Sequence, residues 1–222
     1  MKLSEATVEI LKNFATINGS LQFRKGSVLT TITTGKTILA TARVAESFPF
    51  DFAIYDLNKL LAKLTQYKDG ELDLQADRVV FKSPDNRRTD YIKYSSPKVM
   101  ILPDPNKKIS LDNPEHEFEL SSEDLTWQRK SAGISASPYL IFRGDGKKVL
   151  LQTTDLKDDS SDLSSTEIGK TTETFVYAIK IENLKMIDGS YRVKLAKGLS
   201  KFEHTEKSVE YYVAVETALS EV

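Results

Sequence analysis

The chain has no cysteine, two histidines and a single tryptophan. Without thiols there are no disulfides and no thiolate metal sites, a composition expected of a reducing, cytoplasmic setting. No apolar run approaches the length a membrane span needs, and the opening MKLSEATVEI lacks the hydrophobic centre of a signal peptide. A surplus of charge is missing too: the net charge is -1 and the isoelectric point about 6.2. A protein that binds nucleic acid with its whole surface is usually basic. Any such contact here requires lysines gathered on one surface and carboxylates on another. What remains reads as a soluble globular chain of 222 residues, 40% hydrophobic and 28% charged, long enough for two domains or one large one.

Catalytic signals are equally scarce. His116 and His204 have no nucleophile or ligand at motif spacing and read as exposed histidines. Gly144-Asp145-Gly146 is too short to cradle a phosphate and reads as a hairpin turn. Asp155, Asp158, Asp159 and Asp162 lack the central glycine and terminal glutamate of a calcium loop. Asp51, Asp56 and Asp90 have no ligand spacing either. The expectation is a protein that is not an enzyme and holds no cofactor and no metal.

What is present is a repeat. In residues 48–67, Phe48, Phe50, Phe52 and Ile54 alternate as in a half-buried strand, and then the period changes. Leu57, Leu60, Leu61 and Leu64 form one helical stripe, with Asp56 or Asn58 at the capping end and Lys59 and Lys63 off the stripe. Asp69-Gly70 closes the unit. The pentapeptide FVYAI at 175–179 matches FDFAI at 50–54 at an offset of 125. It is followed by a short helix expected over 180–187, then Asp188-Gly189 and the alternating Tyr191, Val193 and Leu195. Two copies of strand, basic-faced helix, turn and strand indicate internal duplication.

The rest of the chain follows the same order. Met1 to Leu3 reads as a short edge strand, and Ser4 caps a helix to about Ile17 whose stripe is Thr7, Ile10, Leu11, Phe14 and Ile17. Strands over 21–25, 27–34, 37–44 and 48–54 are joined by hairpin-length links. Further strands are expected over 71–75, 78–82 and 87–94, and one more edge strand over 99–101. Residues 102–115 hold three prolines and read as a connector, giving domains at 1–101 and 116–222. In the second, a strand over 116–120 precedes a helix capped by Ser121 or Ser122, in which Gln128 and Arg129 occupy stripe positions where apolar residues belong. Strands over 139–143 and 147–154, a mobile acidic loop over 155–165, strands from about 166 and 173, and strands over 191–195, 199–203 and 209–216 complete the copy. The fold class is α+β: two similar domains of antiparallel sheet with two helices each.

Lys12, Lys59, Lys63, Lys130 and Lys185 lie on or near helix faces turned from the core. Singly each is an ordinary solvated lysine. Were the four helices all on one side of the sheet, these lysines would share a surface able to meet phosphates without reading bases. Trp127 and the tyrosines would instead suit base stacking on single strands, although Tyr91, Tyr177, Tyr191 and Tyr211 sit in alternating strands where packing is the expected role.

The strings LKNFATIN at 11–18, FDFAIYDLN at 50–58, NLKM at 183–186, AKG at 196–198, KFE at 201–203 and YVAVE at 212–216 closely resemble the DNA polymerase sliding clamps of T-even-like bacteriophages. The resemblance spans both halves; residues 83–112 and 155–165 depart from the family pattern. It implies a clamp fold closed into a homotrimeric ring that encircles duplex DNA and tethers the polymerase, with an ATP-driven clamp loader opening and closing it in the cytoplasm of an infected host. By motif position Lys12 and Lys185 are pore lysines; Lys59, Lys63 and Lys130 follow from helix faces, with Arg129 as the alternative to Lys130. The resemblance implies that the polymerase and other replication or transcription factors dock a C-terminal peptide near the connector, where Leu102, Pro103 and Ile109 are the candidates. Subunits would join by edge strands, here near Val99, Met100 and Ile101 and near Ile168. The competing readings are a non-ring DNA-binding protein and a structural component of the phage particle.

Overall fold

The computed structural model describes residues 1–68, 70–107 and 109–220. The chain divides into two compact units, Met1–Lys107 and Lys108–Val222. Asp69, the first residue of the expected Asp-Gly turn, and Lys108 of the connector lie outside the described residues.

The first unit opens with helix α1 (Glu5–Ile17), capped by the Ser4 hydroxyl, which accepts from the Thr7 amide. Its buried residues are the stripe read from the sequence: Thr7, Ile10, Leu11, Phe14 and Ile17. Glu46 makes a second cap, accepting from the Ser4 N–H and the Thr7 hydroxyl with its two oxygens. Burial pushes its pKa up, but these hydrogen bonds outweigh that and hold the carboxyl below its ordinary value. Strands β1 (Leu21–Phe23), β2 (Gly26–Ile32), β3 (Ile38–Phe48) and β4 (Phe52–Ile54) follow, with β1 antiparallel to β4 and β2 to β3. The strand expected over 48–54 breaks in two. Pro49 has no N–H to donate to a ladder, so β3 ends at Phe48 and β4 begins at Phe52. Phe23, Phe48 and Phe52 still meet, with ring centroids 4.6–6.0 Å apart.

Helix α2 (Leu57–Gln66) is capped by Asp56, not Asn58, through a 2.9 Å bond from the Lys59 amide. Leu57 and Leu60 are buried; Leu61 and Leu64 are half-buried. Strands β5 (Glu71–Leu74), β6 (Arg78–Lys82) and β7 (Thr89–Lys93) form an antiparallel sheet. Met1 to Leu3 is not a strand, although reciprocal bonds between Met1 and Leu72 tie its first residue to β5. Residues 99–101 are not one either. Pro97 starts a 3-10 turn, Pro97–Val99, with Ser96 as its cap, and the Asn18 side chain takes the Ile101 carbonyl at 2.9 Å.

In the second unit β8 (His116–Leu120) leads into helix α3 (Ser122–Ile134), capped by Ser121. Strands β9 (Tyr139–Asp145), β10 (Lys148–Thr154), β11 (Ser164–Lys170) and β12 (Thr174–Lys180) form one antiparallel sheet in the order β11-β10-β9-β12. Strands β13 (Tyr191–Ala196), β14 (Leu199–His204) and β15 (Val209–Ala214) continue with β8 in the order β15-β14-β13-β8. The acidic segment after β10 is shaped by its own carboxylates, with Asp155 accepting from the Lys157 amide and Asp158 from the Ser160 amide, each at 2.9 Å.

The repeat is present in the pairing. Leu21 lies opposite Ile54 in β1–β4, as Leu140 lies opposite Ile179 in β9–β12. The expected fourth helix over 180–187 is absent. A 3-10 turn, Ile181–Asn183, stands there instead. Asn183, Leu184, Met186 and Ile187 are all buried. Tertiary partners hold the backbone: Arg129 donates to the Leu184 carbonyl, the Tyr211 hydroxyl accepts from the Ile187 amide, and Tyr191 donates to the Ile187 carbonyl. Gly189 closes the segment at φ 150°, with the His204 ring against the place a Cβ would take.

Candidate nucleic-acid interface

Several cations on strands are paired with neighbouring carboxylates: Lys148 with Glu167 at 2.7 Å, Arg192 with Glu119 at 3.2 Å, and Lys201 with Glu203 and Glu210 at 2.6 and 2.8 Å. Lys201 also lies 5.3 Å from the Tyr212 ring. Each helix presents one lysine that is not so engaged. Lys12 on α1, Lys59 on α2 and Lys130 on α3 are exposed, and among the described residues none of them forms an ion pair. Such cations keep their full charge for an external anion, where the strand pairs are already neutralised.

The remaining sequence-derived cations differ. Lys63 is drawn onto Asp90 at 2.5 Å. Asp90 is held below its ordinary pKa by that ammonium and by the Tyr67 hydroxyl at 3.0 Å. Arg129 is turned inward: it donates to the Leu184 carbonyl at 2.6 Å and meets Asp188 at 3.3 Å. Burial lowers its pKa, with Asp188 opposing. This guanidinium therefore closes the turn that replaces the fourth helix, and Lys130 is the outward residue of the pair. Lys185 is exposed, on the irregular segment rather than on a helix.

Acidic residues share the α1 face, since Glu5 and Glu9 are exposed beside Lys12. A groove of about 540 Å3 between α1, the end of α2 and β5 is lined by both signs, Glu5 and Glu9 with Lys2, Lys12 and Lys68. The α2 face carries no carboxylate beyond its Asp56 cap.

Of the residues proposed for partner contacts, Leu102, Pro103 and Ile109 are half-buried. Val99 and Ile101 are exposed and Met100 half-buried, beside the 3-10 turn. Ile168 lies on β11, the edge strand of its sheet, at a bulge: Val149 faces Gly169 and Leu150 faces Glu167, leaving Ile168 without an opposite residue.

The histidines are packed, not exposed. His116 stacks on Phe175 with centroids 3.9 Å apart, and its nitrogens meet Tyr177 Oη at 2.9 Å and Glu173 at 2.8 Å. His204 is buried, and its Nδ1 accepts from the Glu206 and Lys207 amides at 3.1 Å. Both belong to turns and strand ends, where aromatic neighbours give them a structural role that spacing alone did not indicate.

Comparison with known proteins decides what these faces belong to. Residues 2–102 match the family model of the DNA polymerase processivity factor, and residues 117–217 match that of the gp45 sliding clamp, C terminal. The sliding clamp of Vibrio phage KVP40 is 32% identical, over 97% of this chain and 99% of that one. The chain belongs to the phage sliding-clamp family. The clamp of Enterobacteria phage T4 is 31% identical over 97% of both chains. Among solved structures, the proliferating cellular nuclear antigen of Entamoeba histolytica superposes with a TM-score of 0.69 at 12% identity, covering 96% of this chain and 97% of that one. The Helicobacter pylori beta clamp bound to a DNA ligase peptide gives 0.71 at 15% identity, covering 97% of this chain and 65% of that one. At such identities the likeness shows the clamp fold. The protein is thus a sliding clamp, a processivity factor of a phage DNA polymerase. Among the described residues, no helix is long and apolar enough to cross a membrane.

Proposed function

We propose that this clamp acts as a homotrimeric ring around duplex DNA, tethers the replicative polymerase, and is opened and closed by an ATP-driven loader while itself catalysing nothing. The carrying observation is that each of the three helices presents an exposed lysine, Lys12, Lys59 and Lys130, that forms no ion pair among the described residues, while strand lysines such as Lys148 and Lys201 are tied to carboxylates. A few lysines on helix faces suit a ring that must stay on DNA and still slide. Enclosure supplies the retention, and phosphate contacts need only be weak and indifferent to sequence. Lys185, exposed on its turn, is a further cation for the same strand of phosphates; Lys63 contributes less because Asp90 shares its charge. The edge strand β11 with Ile168 provides one side of a head-to-tail subunit contact, and the segment of Val99, Met100 and Ile101 lies near the other. Leu102, Pro103 and Ile109 receive the hydrophobic C-terminal peptide of the polymerase. The setting is the cytoplasm of the infected host.

The test is solution mass by light scattering over a wide concentration range, followed by retention on nicked circular DNA in the presence of loader and ATP. A trimer, even a dissociating one, with retention lost when the circle is linearised, supports the ring. A strict monomer at every concentration sinks it. Replacing Lys12 and Lys59 together by glutamate is expected to weaken retention and flatten its salt dependence while leaving the mass unchanged.

A further inference from the structure

Helix α3 carries its two largest exposed apolar residues on its outer side. Trp127 and Ile134 are 63% and 86% exposed, while Gln128 on the opposite side is fully buried. Glu123, Trp127, Lys130 and Ile134 fall at i, i+4, i+7 and i+11, one outward stripe away from Leu125, Gln128 and Ala132. Among the described residues no aromatic ring or cation packs on the Trp127 indole, and Lys130 makes no ion pair.

We propose that Trp127 and Lys130 form a stacking site for an unpaired nucleotide, so that the clamp contacts single-stranded DNA where a duplex ends. This rests on the reading above in which α3 faces DNA. A duplex hides the flat faces of its bases between neighbouring pairs, and an indole laid on it meets sugar, phosphate and groove edges. An unpaired strand offers those faces, and stacking on an aromatic ring tolerates any base. Lys130, one turn along the same stripe, is placed for the adjoining phosphate, the pairing of ring and cation that single-strand sites use. A protein helix or groove is a poorer occupant. It would want a continuous apolar row, and here Lys130 interrupts the two apolar positions while Glu123 flanks them.

Trp127 is the only tryptophan in the chain, so its emission reports on this site alone. The full-length protein is titrated at low salt with (dT)20 and with a blunt 20-base-pair duplex, with binding followed separately by anisotropy of labelled oligonucleotides. The expected result is strong quenching by (dT)20 and little by duplex. W127A should bind (dT)20 roughly ten-fold more weakly, W127F should keep most of the affinity, and K130Q should lower the salt slope by about 0.7. Silent emission while (dT)20 is bound, equal quenching by duplex, or no binding of (dT)20 at all would overturn the proposal. So would loss of polymerase binding in W127A with (dT)20 affinity unchanged, which would make the stripe a protein contact. Retention of the wild-type protein on nicked circles is read in parallel. Retention with silent emission removes only the stacking site, whereas absent retention removes the ring reading beneath it.

Discussion

Helices α1 and α3 open the two units in the same way and end up burying different faces. Each has 13 residues and a serine cap whose hydroxyl accepts from the amide three residues on. Counted from the cap, α1 buries positions 3, 6, 7, 10 and 13, whereas α3 buries 4, 7 and 11. The buried face of α3 is therefore turned by roughly one residue, about 100°. Positions 6 and 13, Ile10 and Ile17 in α1, become Trp127 and Ile134 in α3 and stand in solvent. The turn is held by polar chemistry. Gln128 donates to Thr166 Oγ1 at 2.9 Å and accepts from the Thr153 hydroxyl at 3.1 Å, fixing α3 to β10 and β11. A helix can thus be oriented by a satisfied polar triad beside a small apolar face of Leu125 and Ala132, which leaves Trp127 and Ile134 to face outward.

The contrast can be broken most severely on the α1 side. Phe14 is fully buried, and F14A should cost about 3–5 kcal/mol through lost burial and the cavity left behind, read as a lower urea midpoint. On α3, Q128L makes the buried position apolar like its α1 counterpart, Leu11. It should nevertheless destabilise by about 1–3 kcal/mol, because the buried Thr153 hydroxyl loses its acceptor. A neutral or stabilising Q128L would mean that packing, not the triad, orients the helix.

A smaller effect tests the extra cap that α1 has. E46Q keeps one acceptor and loses the other, and should cost about 1 kcal/mol at neutral pH. Because the folded pKa of Glu46 is held below its ordinary 4.5, the contribution is complete above that value and is lost as pH falls through the lower folded one. The gap between wild type and E46Q in urea midpoint should therefore close in acid; a constant gap would refute the cap. Smallest of all is I134S, expected within about 0.5 kcal/mol of wild type in the same measurement. A large loss would show that this exposed side chain is packed after all.

These differences also mark what could be read without coordinates. The α1 stripe was legible because every position follows one period and Ser4 marks its start. The stripe of α2 was equally plain, and most strands fell within a few residues of their observed limits. The fourth helix failed because residues 181–187 resemble a helix in spacing, while Arg129, Tyr191 and Tyr211 bind that backbone from elsewhere in the sequence. Pro49 was the visible sign of the break between β3 and β4. The alternation of phenylalanines across it masked that sign, since the rings converge even with the strand interrupted. At the candidate interface, Lys12, Lys59 and Lys130 were recoverable from helix periodicity. Arg129 and Lys63 were not, because their ion-pair partners Asp188 and Asp90 are 59 and 27 residues away. The outward Trp127 was hidden for the same reason: its exposure follows from a glutamine that finds two threonines across the sheet.

The bulge at Ile168 has a further consequence, for colloidal behaviour. An open strand edge is a template on which like chains can add without end, and amyloid grows on edges that are long, flat and regular. At Ile168 the spacing of β11 slips by one residue, and the strand carries Ser164, Ser165, Thr166, Glu167 and Lys170. An arbitrary incoming strand would fall out of step halfway along and meet charge at the point of mismatch. Only a strand shaped to the same irregularity can follow the edge to its end, so the slip guards against fibre growth while leaving the edge open to a cognate partner.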